Sequence, residues 1–97
     1  MGWKLTKELM DSLIEKYDAI TLRIGDGSYK EEAFYHDGRY FRLWFDPLNS
    51  KSNPFALEAK AYSLDPKNGR AKNTFLRQVV SCDSDVEKIF KRIYSKN

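Results

Sequence analysis

The sequence holds a single cysteine, Cys82, and a single histidine, His36, and these two shortages remove much of the chemistry open to a small protein. One thiol forms no intrachain disulfide, and with no second cysteine there is no ligand set for a structural zinc. A lone thiol points to a reducing compartment, so the cytoplasm is the expected location, and Cys82 reads as a small buried hydrophobe. No apolar run approaches the roughly 18 residues a membrane span requires. The opening Met1-Gly2-Trp3-Lys4-Leu5-Thr6-Lys7 lacks the apolar stretch of a secretory signal, so no membrane partner is expected.

Glycine is also scarce, with five residues, and Gly25-Asp26-Gly27 is too short to cradle the phosphates of a nucleotide. Glu31 and Glu32 are neighbours on an expected strand and point to opposite faces, which removes the simplest paired-carboxylate site. His36 beside Asp37 reads as the solvated flank of a turn, and no base lies near Cys82 in sequence to activate it. The expectation is a protein that is not an enzyme and that carries neither metal nor cofactor.

What is present suits folding. Of 97 residues, 41% are hydrophobic and 14% aromatic, which is enough to build one dense core and too little chain for two. Residues 1–97 are therefore read as a single domain. The net charge is +3, but residues 1 to 46 hold seven Lys/Arg against nine Asp/Glu and residues 47 to 97 hold ten against five. The basic excess is C-terminal, and from Lys67 to Arg77 four cations occur with no acid between them.

Leu9, Met10, Leu13, Ile14 and Tyr17 recur at helical spacing behind Thr6, a suitable N-cap, with Leu5 and Met10 placed as a hydrophobic staple. From Ile20 the period becomes two, over Ile20, Leu22 and Ile24, until Gly25-Asp26-Gly27-Ser28 ends the run. Residues 29 to 36 and 39 to 46 flank Asp37-Gly38, the pair a two-residue type I′ hairpin favours. That loop sets Phe34 opposite Phe41, Tyr35 opposite Tyr40, His36 opposite Arg39, and further along Ala33 opposite Arg42 and Glu31 opposite Trp44. A fourth strand is expected from Phe55 to Leu64, and Asp65 to Arg70 carries turn residues. A fifth runs from Thr74 to Ser81, and its inward residues are either Leu76 and Val80 or Phe75 and Val79. Ser84 and Glu87 have capping-box spacing ahead of Val86, Ile89, Phe90, Ile93 and Tyr94 on a closing helix, whose polar side holds Lys88, Lys91, Arg92 and Lys96. The fold class is α+β: an antiparallel meander of about five strands with both helices packed on one face.

Phe34, Phe41, Leu43 and Phe45 form the core face, because their side chains have no polar atom to satisfy, whereas tyrosine hydroxyls prefer water or a partner. The reverse face then carries Tyr35, Tyr40, Arg42, Trp44, Lys60 and Tyr62. Aromatic and basic residues occur together where proteins bind nucleic acid by stacking and phosphate contact, and also at protein interfaces. Cross-strand stiffening of the sheet accounts for the same rings without any partner. Tyr40, Arg42, Trp44, Lys60, Tyr62, Lys67, Arg70 and Lys72 are the candidate binding residues. The expected function is non-catalytic binding of a protein or nucleoprotein. A small inhibitor of the immunity or phage anti-defence type, such as an anti-CRISPR-like blocker of a larger enzyme, and a nucleic-acid-binding module are the alternatives. The sequence leaves monomer and homodimer equally open.

Over roughly the last 60 residues, the order of strands, a basic loop containing Asn68-Gly69-Arg70, a strand and a closing helix resembles the WGR domain of DNA-break-sensing polymerases. Asn68 stands where that family has tryptophan and the N-terminal helix has no counterpart, so no residue role is carried over.

Overall fold

The computed structural model describes residues 2–26 and 29–95, so Gly27 and Ser28 of the first expected turn, and Lys96, lie outside the described residues. Helix α1 (Lys7–Lys16) is followed by β1 (Ile20–Asp26), β2 (Tyr29–His36), β3 (Arg39–Pro47), β4 (Leu57–Leu64), β5 (Ala71–Val80) and helix α2 (Asp83–Tyr94). The strands form one antiparallel sheet in the order β1-β2-β3-β4-β5, the expected α+β meander. Among the described residues no helix is long and apolar enough to cross a membrane.

Local chemistry explains the element ends. Thr6 Oγ1 accepts the Leu9 backbone N–H at 3.1 Å. Helix α1 stops in a Schellman arrangement, with Ala19 N–H bonded to Ile14 O at 2.9 Å, Asp18 N–H to Glu15 O at 3.1 Å, and Asp18 in the left-handed region at φ 52°. Asp37 and Gly38, at φ 51° and 81°, form the type I′ turn that their identities predict.

Both helices pack on the phenylalanine side of the sheet. Leu13 of α1 and Val86, Ile89 and Phe90 of α2 join Ala59, Ala61, Leu76 and Val80 in one buried cluster, against which Phe34, Leu43 and Phe45 also pack. Ala59 and Ala61 have no solvent exposure, and neither have Val86, Ile89 and Phe90. The Tyr94 hydroxyl is buried without a hydrogen-bond partner among the described residues, and burial pushes its pKa up to about 12.

Several expectations are corrected. Among the described residues, β2 pairs with β3 at Phe34/Phe41, Tyr35/Tyr40 and His36/Arg39, and the ladder does not continue to the expected Ala33/Arg42 pair; the expected Glu31/Trp44 pair involves a side chain outside the described residues. Beyond that point β1 and β2 continue as a paired ribbon, and its Leu22, Ile24 and Ala33 pack on Leu64, Tyr40 and Tyr62. Phe55 precedes β4, is 55% exposed, and lies so close to Gly2 that a Cβ there would meet its ring at 2.3 Å. Cys82 is exposed, not buried, and is itself the N-cap position of α2, with no side-chain capping bond.

The capping box does not form, because the helix begins before Ser84 and Glu87, like the neighbouring Asp85, has other partners. Asp85 Oδ2 accepts from the Ser81 backbone N–H at 3.0 Å and from Ser81 Oγ at 3.3 Å. Glu87 accepts a hydrogen bond from Tyr17 Oη at 2.8 Å and pairs with Lys16, which ties α2 to α1. The fifth strand follows neither expected phase throughout. Leu76 and Val80 are buried and Val79 is 51% exposed, but the register slips so that Ala61 faces Leu76 and Tyr62 faces Thr74. Phe75 is the extra residue of a bulge and reaches the core side, where its ring meets Phe41 at 5.8 Å.

Two predictions follow from the packing and the acid pairs. Ala59→Leu forces added methylenes between β4 and the helices and lowers stability by about 1–3 kcal/mol in urea denaturation, at unchanged m-value. The Lys16 and Tyr17 hydrogen bonds hold the Glu87 carboxyl below its usual value, and the Ser81 backbone N–H does the same for Asp85. Stability from a depressed carboxyl is present above its unfolded value, about 4.3 for Glu and 3.9 for Asp, and disappears as pH falls through the lower folded value. Melting temperature therefore drops below about pH 4, and Glu87→Gln makes that acid limb shallower than in the wild type.

Candidate partner-binding groove

The face of the sheet turned away from both helices presents residues in cross-strand rows. Trp44 faces Lys60 and Lys60 faces Arg77; Arg42 faces Tyr62 and Tyr62 faces Thr74; Asp46 faces Glu58 and Glu58 faces Val79. Directly opposed side chains on a sheet lie close enough to interact. The rows enclose an open groove of about 520 Å³ lined by Arg42, Trp44, Asp46, Lys60 and Tyr62 together with residues 71–74 and Arg77.

Trp44 is the centre of this surface. The residue is 45% exposed, yet its ring is not loose: Nε1–H donates to Asp46 Oδ1 at 2.7 Å, and the Arg42 guanidinium stands 5.5 Å from the ring centroid. The other oxygen of Asp46 lies 3.4 Å from Lys60 Nζ, which is also 3.7 Å from Glu58 Oε1. Arg77 Nη1 lies 3.7 Å from the same Glu58 oxygen. Carboxylates thus anchor both the indole and the cations beside it. Each of these exposed or half-exposed pairs is worth at most about 1 kcal/mol, so their effect is to set geometry more than to stabilise the fold.

The eight residues expected from sequence divide into three groups. Arg42, Trp44, Lys60, Tyr62 and Lys72 line the groove. Tyr40 is half-buried at its edge, in the apolar cluster with Ile24, Ala33 and Leu64, and its ring packs against Tyr35 at 4.9 Å. Lys67 and Arg70 lie on the exposed turn between β4 and β5, outside the groove lining. That turn is shaped by its own side chains: Asp65 Oδ1 accepts the Lys67 N–H and Asn68 Oδ1 accepts the Arg70 N–H, both at 2.9 Å, with Gly69 at φ 74°.

Asp46, Asn73, Thr74 and Arg77 belong to the groove and were not among the candidates. Asp46 was accessible from alternation, two positions beyond Trp44 on the same face. Arg77 follows from alternation with the inward Leu76 and Val80, whereas Asn73 and Thr74 depend on the irregular pairing of β5, where Ser63 bonds through Oγ to both the N–H and the carbonyl of Asn73 at 3.3 Å. Among the described residues no three His, Cys, Asp or Glu side chains gather as a metal site. In comparisons with known proteins, no family model, no curated protein and no solved structure matches the chain.

The Asp46 latch is testable without a partner. In a Trp3→Phe background, Asp46→Ala shifts the Trp44 indole N–H resonance toward that of a free indole and speeds its exchange with solvent. Stability falls by about 1 kcal/mol or less. An unchanged indole resonance would show that Asp46 does not hold the ring.

Proposed function

We propose that this chain is a non-catalytic binding module that docks on a protein or nucleoprotein partner through the Trp44 groove and the basic β4–β5 turn. The observation that carries this reading is Trp44 itself, a large aromatic residue 45% exposed on a sheet face against which neither helix packs, with its indole N–H held by Asp46. Side chains that dominate binding energy are most often Trp, Tyr and Arg. A ring already held in place loses less freedom on docking than a mobile one.

The charge arrangement favours a protein surface over bare nucleic acid as the main contact. Phosphate recognition draws on cations available to replace counterions, whereas Lys60 and Arg77 already have carboxylate partners. Lys67, Arg70 and Lys72 have no ion pair among the described residues, and they supply the long-range attraction that speeds encounter with an acidic patch. Under this reading the partner presents an apolar pocket for the indole with acids beside it. A cytoplasmic setting belongs to the same reading and rests on the lone cysteine.

Affinity capture from the source cell, followed by binding measured with the purified partner, tests the assignment. Trp44→Ala weakens binding by about 2 kcal/mol or more, roughly thirtyfold. Arg70→Glu with Lys72→Glu slows association and flattens its salt dependence. Loss of a captured enzyme's activity at saturation identifies the chain as an inhibitor. A steep fall in affinity for a single-stranded oligonucleotide as salt rises, with no protein captured, transfers the site to nucleic acid. Retention of the same partner by both variants would falsify the groove as the docking surface.

A further inference from the structure

A second cavity lies at the end of the molecule where β2 turns into β3, on the helix side of the sheet. Its volume is about 310 Å³, at the small end of the range for organic ligands. Phe41 and Leu76, both buried, form its floor with Phe75 and Ile93. His36, Arg39 and Arg92 stand around it, so β2, β3 and α2 each contribute a basic side chain.

The β5 bulge creates this cavity. By turning Phe75 to the core side it sets that ring edge-on to Phe41, at 5.8 Å and 86°, and beneath the Arg39 guanidinium, 4.2 Å from the ring centroid. A guanidinium held over an aromatic face keeps its N–H groups available at its edges. Arg39 has no hydrogen bond or ion pair among the described residues, and Arg92 donates from Nη1 to the neutral Gln78 Oε1 at 3.3 Å. Negative charge is also present: Asp37 lines the cavity, and α2 ends there with its last carbonyls. One carboxylate and the roughly half charge of a helix C-terminus do not cancel two guanidiniums.

We propose that this cavity binds a small organic anion, with its carboxylate or phosphate held by Arg39 and Arg92 and a planar apolar body packed beside Phe75 and Ile93. Two-pronged guanidinium donors suit either oxyanion. The apolar floor sets the rest of the ligand's character, and the volume limits it to about the size of a nucleoside monophosphate. The site is on the opposite side of the sheet from the Trp44 groove, so either can fail without the other.

Titrations of the whole chain with benzoate, adenosine 5′-monophosphate and inorganic phosphate, followed by NMR, test the proposal. Benzoate or the nucleotide moves the signals of His36, Arg39, Phe75 and Ile93 with a dissociation constant of about 1 mM or tighter, and the tighter of the two identifies the oxyanion. Arg39→Gln with Arg92→Gln weakens that binding by about tenfold or more; should this pair disturb folding, Arg92→Gln alone, at an exposed position, gives a weaker loss in the same direction. Absence of shifts with all three probes, shifts unaltered by the variants, or shifts centred on Trp44 would overturn the site. Inorganic phosphate binding as tightly as the nucleotide would overturn the role of the rings.

Discussion

The close approach of α2 to the centre of the sheet, made possible by Ala59 and Ala61, is the constraint from which the other features follow. Neither alanine is exposed to solvent, and the Val86, Ile89 and Phe90 side chains above them are equally inaccessible. Larger residues at either position would hold the helix away and open voids around its apolar stripe. With α2 seated, Glu87 lies within reach of Lys16 and Tyr17, so the second helix also positions the first. Both helices are then committed to one face, and the Trp44 face is left without a helix.

Features set by neighbours in sequence were legible, and those set by distant contacts were not. Asp37-Gly38, the Thr6 cap and the alternation along β3 depend on a few adjacent residues, and each has the form that local chemistry dictates. The acids of α2 show the opposite case. Glu87 has the spacing of a capping residue, but its partners are 71 and 70 residues away, and an ion pair between helices cannot be seen in a local pattern. Cys82 fails for a related reason: small size suggests burial, but the residue occupies the exposed turn into α2.

The β5 bulge explains why neither strand phase could be chosen. Phe75, Leu76 and Val80 all require apolar surroundings, and a regular strand places Phe75 on the opposite face from the other two. One extra residue resolves the conflict by keeping Leu76 and Val80 in the core and turning Phe75 to the same side. A second register shift, between Tyr62 and Leu64, leaves the first part of β5 irregularly paired; residues 71–74 are exposed there and Lys72 borders the groove. Two neighbouring irregularities in one strand thus shape both sides of the sheet, the small cavity on one and the open groove on the other.

The curl of the β1–β2 ribbon limits how far the open face extends. Leu22, Ile24 and Ala33 cover Leu64 and half-bury Tyr40 and Tyr62, so two of the rings expected to meet water are largely occupied by the protein itself. What is left for a partner is narrower than the full sheet: one indole, its neighbouring cations and the edge of Tyr62. A surface this small gains affinity through fixed geometry more than through area, because a few well-held residues dominate binding energy while the contacts around them exclude water. The hydrogen bond from Trp44 to Asp46 therefore matters more to recognition than its contribution to stability suggests, since it sets the angle at which the largest exposed ring on this face is presented.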